Sequence, residues 1–390
     1  MKTHQNKIEK LLKELCSGGV EWLELGIFSQ IKTGKGITKK DSSDLFEYPI
    51  ISGGKKPMGY YNKYNRPKDT VTVSRVGANA GYVDYISTDF YLNDKCFSIL
   101  PVEKYKEKIN NKFLYYSLKL NESNLIELQS TGGVPTINTV KVSKIKIPIP
   151  PLSIQKEIVK ILDNFTELEA ELEAELEARK KQYEYYRTQL LTFDDVVGVQ
   201  WVPLNQIINF MNGKGHEQHI DENGKYIVVN SKFVSTGGRV KKYSVSQISP
   251  IFENDILMVM SDLPNGKALA KCFYVEENDK YTLNQRICSL SVKNKDEIFT
   301  KYLFYILNRN RQLLRYDNGV DQTNLRKDDI LKIQIPVPPI EEQKRIVAIL
   351  DKFDALVNDI SIGLPAELKA RRQQYEYYRS QLLTFPELQK

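Results

Sequence analysis

Apolar residues recur in steps of three and four at Ile154, Ile158, Ile161, Phe165, Leu168, Leu172 and Leu176. This is one sustained stripe with the period of an α-helix. Pro148, Pro150 and Pro151 exclude helix before Leu152, and Ser153 stands as an N-cap ahead of Gln155. A helix over residues 153–192 would run about 60 Å, too long for one small domain to cover, so it requires a helical partner. The chain carries its own. IPIPPLSIQKEIVKILDNF and QYEYYRTQLLTF, within residues 147–193, return within residues 335–385 as IPVPPIEEQKRIVAILDKF and QYEYYRSQLLTF.

The copies differ in the middle. Pro148, Gln155 and Asp163 match Pro336, Gln343 and Asp351 at an offset of 188, whereas Tyr183 and Phe193 match Tyr375 and Phe385 at 192. The second copy therefore has about one extra helical turn. In the first, ELEA occurs three times over residues 167–178, a strongly helix-forming rod whose glutamates are expected to face water. In the second, Gly363 and Pro365 predict a break and a restart near Pro365, which suits a first-turn position.

A block of its own sequence precedes each copy. Strand-like runs are expected at residues 70–74, 81–86, 97–100, 226–229 and 256–260, with turns at Ser52-Gly53-Gly54, Gly77, Asn223-Gly224 and Asn265-Gly266. Helices are expected at 112–119 and 300–307, and a short basic strand closes each block at 144–149 and 332–337. The blocks read as mixed α/β, without the regular alternation of a nucleotide-binding sheet. Their openings echo one another: Val20-Glu21-Trp22 and Gly34-Lys35-Gly36 match Val199-Gln200-Trp201 and Gly213-Lys214-Gly215 at an offset of 179. The same offset pairs Leu11 and Leu12 with Leu190 and Leu191, so the N-terminal segment imitates the end of the first copy and the pattern is circular.

Length and composition fit two domains plus connectors: 390 residues, 41% hydrophobic and 27% charged. The opening MKTHQNKIEK has no apolar signal region, and no apolar run approaches the roughly 18 residues that span a bilayer. A cytoplasmic chain without membrane contact is expected. Cys16, Cys96, Cys272 and Cys288 lie far apart, so reduced buried thiols are expected in place of a zinc site or disulfide framework. The net charge of +7 is concentrated in the variable blocks, with 19 Lys+Arg against 13 Asp+Glu over 20–146 and 19 against 15 over 199–334. A grip on a polyanion and ordinary surface variation both fit those figures.

Catalytic signatures are mostly missing. There is no GxxxxGK[ST] loop, and no NPPY or DPPY tetrad of the kind that holds a flipped base. No cofactor and no metal are expected. His216 and His219 form an HxxH pair without a third ligand type nearby.

The twin proline-entered helices, the twin QYEYYR and LLTF segments, LCSGGVEWLEL, VGVQWVPLNQI, YPIISGG and TVSRVGANAGYV resemble the specificity subunits of Type I DNA restriction-modification systems over essentially the whole chain. The resemblance implies two α/β target-recognition domains separated by two long antiparallel coiled-coil helices in a pseudo-twofold, circular arrangement. It implies boundaries at residues 1–19 (helical segment completing the scaffold), 20–146 (first recognition domain), 147–198 (central helical spacer), 199–334 (second recognition domain) and 335–390 (distal helical region). Each domain would read one half of a bipartite site in double-stranded DNA. Two modification (methyltransferase) subunits would dock on the helices, restriction (endonuclease and translocase) subunits would join them, and the chain itself would not be an enzyme.

Base readout calls for Arg or Lys toward guanine and Asn or Gln toward adenine on stiff backbone. That selects Lys35, Lys55, Lys56, Arg75, Asn79, Thr136 and Asn138 in the first block. In the second it selects Lys214, Lys232, Arg239, Lys241, Lys242, Lys267, Arg286 and Arg326. Tyr60, Tyr61 and Tyr64 would either stack or pack, with packing favoured. Tyr183, Tyr185, Tyr186 and Arg187, with Tyr375, Tyr377, Tyr378 and Arg379, suit either contact between helices or docking of partner subunits. The alternative reading is a coiled-coil adaptor that binds proteins alone, and a further one is an enzyme with an unrecognised site such as a nuclease.

Overall fold

The long apolar stripe forms one helix, Leu152–Leu190, of 39 residues. It begins one residue before Ser153, directly after the prolines. The second copy forms two helices, Ile340–Asn358 and Leu364–Leu383, interrupted where expected. A side chain at Gly363 would collide with the carbonyl oxygens of Ala355 and Leu356, so only glycine lets the chain fold back there. The computed structural model describes residues 10, 14, 18–130, 132–193, 198–263, 268–359 and 361–388. Most of the expected N-terminal helical segment, Cys16, the Asn265-Gly266 turn and Lys267 lie outside the described residues. The chain divides into two units, residues 1–175 with 366–390, and residues 176–365, so the division falls inside the long helix.

In the first unit Ser29–Thr33, Cys96–Pro101, Thr70–Ser74 and Val83–Ile86 form a four-stranded antiparallel sheet in that order. A three-stranded sheet runs Tyr60–Tyr61, Tyr48–Ile51, Tyr91–Leu92, its last pair parallel. Val71, Val73, Phe97 and Ile99 of the larger sheet bury against Leu114 and Leu118 of the helix Asn111–Leu120. A second cluster joins Phe113 and Tyr116 of that helix to Ile154, Ile158, Leu162 and Phe165 of the long helix and to Leu382, Leu383 and Phe385.

The second unit repeats this topology on a different sequence. Ile208–Asn212, Ile287–Val292, Ile256–Val259 and Cys272–Tyr274 make the four-stranded sheet, and Tyr243–Ser244, Tyr226–Val229 and Tyr281–Leu283 the three-stranded one. The first glycine of the shared Gly-Lys-Gly has a steric cause. A Cβ at Gly34 would strike the carbonyls of Leu92 and Asn93, and one at Gly213 that of Asn284. Equivalent backbone bonds follow, Lys35 N to Leu92 O and Lys214 N to Leu283 O, both 3.0 Å.

Each block is closed at a neck. Trp22–Glu24 pairs antiparallel with Lys146–Pro148, placing Trp22 opposite Pro148, and Gln200–Pro203 pairs with Gln334–Val337, placing Trp201 opposite Pro336. The echoed openings and the basic closing strands are therefore the two sides of one duplicated hairpin-like neck, each side satisfying the other's backbone.

Three expectations need correction. Ser153 lies inside the first turn of the long helix, which starts at Leu152, and so is not its N-cap. Leu168 is 46% exposed and lies off the buried stripe. The ELEA segment is also more than a solvated rod, because in the first unit Arg372 donates to Glu169 (2.6 Å) and to Glu173. Both pairs are surface pairs, worth little individually.

Candidate nucleic-acid interface

In the first block Arg75, Asn79 and Thr136 converge at the end of strand Thr70–Ser74. Arg75 N donates to Lys95 O (2.9 Å), and Ile137 N to Arg75 O (2.8 Å). Val76 bridges to Thr136, Gly77 N donates to Pro135 O, and Asn79 Nδ2 donates to Gly53 O (3.1 Å). Three loops are thereby tied into one platform. The half-buried Arg75 guanidinium donates from one terminal nitrogen to Asp94 O (3.0 Å) and lies over the Phe97 ring. Its buried Nε has no partner among the described residues. Lys55 lies over Tyr82 at 5.5 Å, while Lys35, Lys55 and Lys56 are exposed. Asn138 caps the helix Thr139–Ser143 by accepting from Lys141 N, and the Thr136 hydroxyl is 2.7 Å from that of Ser130. Tyr61 packs edge-on to Phe46 and Tyr91, and Tyr64 lies against Tyr48; Tyr60 is 40% exposed.

The second block builds the same junction around Met260, whose N–H donates to Arg286 O and whose carbonyl accepts from Leu325 N. Met260 thus occupies the place of Arg75. Arg286, Arg326 and Lys214 are exposed at this end, with Lys214 bridged to Asn284. Lys232, Arg239, Lys241 and Lys242 form a second exposed group on the helix Ser231–Ser235 and the turn that follows.

Sequence reasoning missed two cations beside the second group. Lys271 Nζ donates to Ser235 O (2.9 Å), and Arg309 donates to Leu269 O (3.2 Å). Burial, then the charges of Arg239 and Arg309, lower the Lys271 ammonium below its usual pKa. Crowding of like charge at a half-buried site favours an anion there. Only the nearness of these residues in space, which no local motif encodes, reveals the group. Lys95, the counterpart of Arg286, was missed for the same reason.

His216 is buried, with Nδ1 2.7 Å from Lys214 O and Nε2 2.7 Å from the Thr282 hydroxyl. The carbonyl can only accept, so Nδ1 carries the proton and Nε2 accepts. Both nitrogens are thus engaged within the fold. No cluster of three or more His, Cys, Asp or Glu able to hold a metal occurs among the described residues.

The QYEYYR aromatics lie on helices. Tyr378 and Tyr375 face Phe165 in the first unit, and Tyr186 and Tyr183 face Phe353 in the second. Arg187 donates to Tyr305 O and Asn308 O at the end of the helix Thr300–Leu307, whereas Arg379 pairs with Glu376 and lies over Tyr375. Tyr185 and Tyr377 are 61% and 60% exposed.

The family model for the Type I restriction modification DNA specificity domain matches residues 18–178 and again 197–370. The chain is 33% identical over 406 aligned positions to the specificity subunit of the Type I restriction enzyme EcoR124I/EcoR124II of Escherichia coli, covering 97% of each. The S subunit of a Type I restriction-modification system from M. genitalium shares the fold with a TM-score of 0.62 at 19% identity, over 94% of this chain and 96% of that one. A chain from a structural study of complex assembly in the type I R-M system also gives a TM-score of 0.62, at 16% identity, over 95% of this chain and 98% of its own length. The twice-matched model and the full-length relative agree with the twice-built block, and the chain belongs to the Type I restriction-modification DNA specificity family.

Proposed function

We propose that the chain is the address-reading, non-catalytic subunit of a Type I restriction-modification complex. Residues 20–146 read one half of a bipartite target in double-stranded DNA and residues 199–334 the other. The helical segments 147–198 and 335–390 set the number of base pairs between the halves, and residues 1–19 complete that scaffold. Modification subunits dock on the helices and restriction subunits join them, so the chemistry belongs to the partners.

One observation carries this reading: a single block topology is built twice, closed by the same neck, but presents unlike sets of exposed cations. Cations placed in that way grip phosphates and reach base edges, and unlike sets select unlike sequences. The exposed Tyr185 and Tyr377, at matching places in the two copies, support docking of two like partners near Tyr183, Tyr186 and Arg187 and near Tyr375, Tyr378 and Arg379.

Sequencing of methylated bases in a host carrying the complete system tests the reading. Two unlike half-sites at a fixed gap are expected, and replacing residues 20–146 with the block of a relative should change one half only. A continuous target, or no sequence-dependent methylation, overturns it. Binding of the assembled complex to duplex DNA that weakens with added salt separates it from a protein-only adaptor.

A further inference from the structure

The two blocks share one motif that the rest of their sequence hides: Lys112-Phe113-Leu114-Tyr115-Tyr116 and Lys301-Tyr302-Leu303-Phe304-Tyr305, at an offset of 189. Lys and the last Tyr stand four residues apart, on one face of a helix. In the first unit that face meets Asp163, which accepts from Tyr116 Oη at 2.6 Å and from Lys112 Nζ at 2.8 Å. In the second unit Asp351 accepts from Tyr305 Oη at 2.6 Å and from Lys301 Nζ at 2.8 Å. Two turns earlier, fully buried glutamines repeat the arrangement. Gln155 accepts from Asn110 N (2.8 Å) and donates to Lys108 O and Pro150 O. Gln343 accepts from Phe299 N (2.9 Å) and donates to Glu297 O and Pro338 O.

Apolar packing between a block and its helix is non-directional and would tolerate sliding or tilting. Hydrogen bonds at two points along the helix, charge-assisted at the aspartate and neutral at the glutamine, do not, because their geometry is specific. The duplicated Gln and Asp therefore act as a two-point latch, and Lys-x-x-x-Tyr is the socket that lets unlike blocks seat in the same pose.

We infer that Gln155 with Asp163, and Gln343 with Asp351, are positioning residues for half-site recognition: they fix the pose of each reading block on its helix and so determine how strictly the complex keeps its gap length. This inference rests on the DNA-reading function proposed above.

The test uses the assembled methyltransferase complex carrying Asp163→Asn, on the native target and on targets with the gap one base pair longer or shorter. Preference for the native gap should fall about tenfold, the order expected for weakening a charged hydrogen-bonded pair, while base preference within each half-site is kept. Loss of activity in equal proportion on all three targets, or an unchanged preference, overturns the inference, because a merely structural role does not alter the ratio. Should Asp163→Asn fail to fold, Tyr116→Phe removes one latch bond while keeping the ring and the lysine pair, and the same ratio decides. Failure of the wild-type complex to methylate a bipartite target would defeat the underlying reading instead, so the two failures are distinguishable.

Discussion

The ring of Phe165 stacks on that of Tyr378, with centroids 5.5 Å apart and planes inclined at 27°. Within the second unit Phe353 and Tyr186 repeat the contact at 5.5 Å and 29°. In each unit a phenylalanine from one copy of the repeat meets a tyrosine from the other copy. The QYEYYR segments are therefore used in contact between helices, and this use is compatible with partner docking through the exposed tyrosines on the same segments.

Phe165 is buried at 7% exposure among Ile161, Leu162 and Leu382. Phe165→Ala is expected to cost about 3 kcal/mol through lost burial and the cavity left behind. Urea denaturation should show a lower midpoint at an unchanged slope. A midpoint equal to wild type would mean that the contact adds nothing to stability.

Removing one ELEA unit leaves the same sequence whichever of the three is deleted, and shortens the helix by about 6 Å. At roughly 3.4 Å per base step, the preferred gap between half-sites should shrink by about one or two base pairs. Methylome sequencing of a host carrying the deletion checks this, and an unchanged gap refutes it.

Arg75 sits where three loops converge, its guanidinium oriented by Asp94 O and Phe97. Arg75→Ala should slow methylation of the native target by about tenfold or more if the side chain contacts a guanine. It should also relax base choice in one half-site only. Wild-type methylation rates would remove Arg75 from the reading surface.

His216 should make the stability of the second unit depend on pH. Burial depresses its pKa below 6.5, so the unfolded chain takes up a proton at higher pH than the folded one. Its contribution to stability is complete above about 6.5 and falls as the pH drops toward the folded value. Thermal melts from pH 7.5 to 5 should show a steeper loss for wild type than for His216→Gln. Parallel curves would show that His216 binds its proton alike in the folded and the unfolded chain, and would overturn the prediction.

Burial pushes the Cys96 and Cys288 thiols up to about 12. In a Cys16→Ser background the native chain should resist alkylation at pH 8 and react fully in denaturant, as buried thiols do. Mass spectrometry after iodoacetamide treatment reads this directly, and rapid native labelling of either residue would contradict the buried placement.

Much of the architecture was legible in the chain because it is written in local periodicity. The strands Thr70–Ser74 and Tyr226–Val229 and the helix Thr300–Leu307 lie where the pattern of side chains places them. The break at Gly363 follows from residues within one turn of it. Leu168 was misplaced because a stripe counted in steps of three and four does not say which of its positions a neighbour covers: Leu168 is exposed, whereas Leu176 further along the helix is buried.

The amino-acid sequence alone determined the duplication, the long helix, its interruption in the second copy and the family. Only the tertiary structure showed that the two blocks share one topology, that Trp22 meets Pro148 and Trp201 meets Pro336 at matching necks, and that Asp163 and Asp351 clasp the same Lys-Tyr pair. It alone placed Lys271 and Arg309 beside Arg239. The division has a physical cause: periodicity and turn chemistry act over a few neighbouring residues, whereas strand pairing, ion pairs and crowded charge join residues tens of positions apart that no local pattern links.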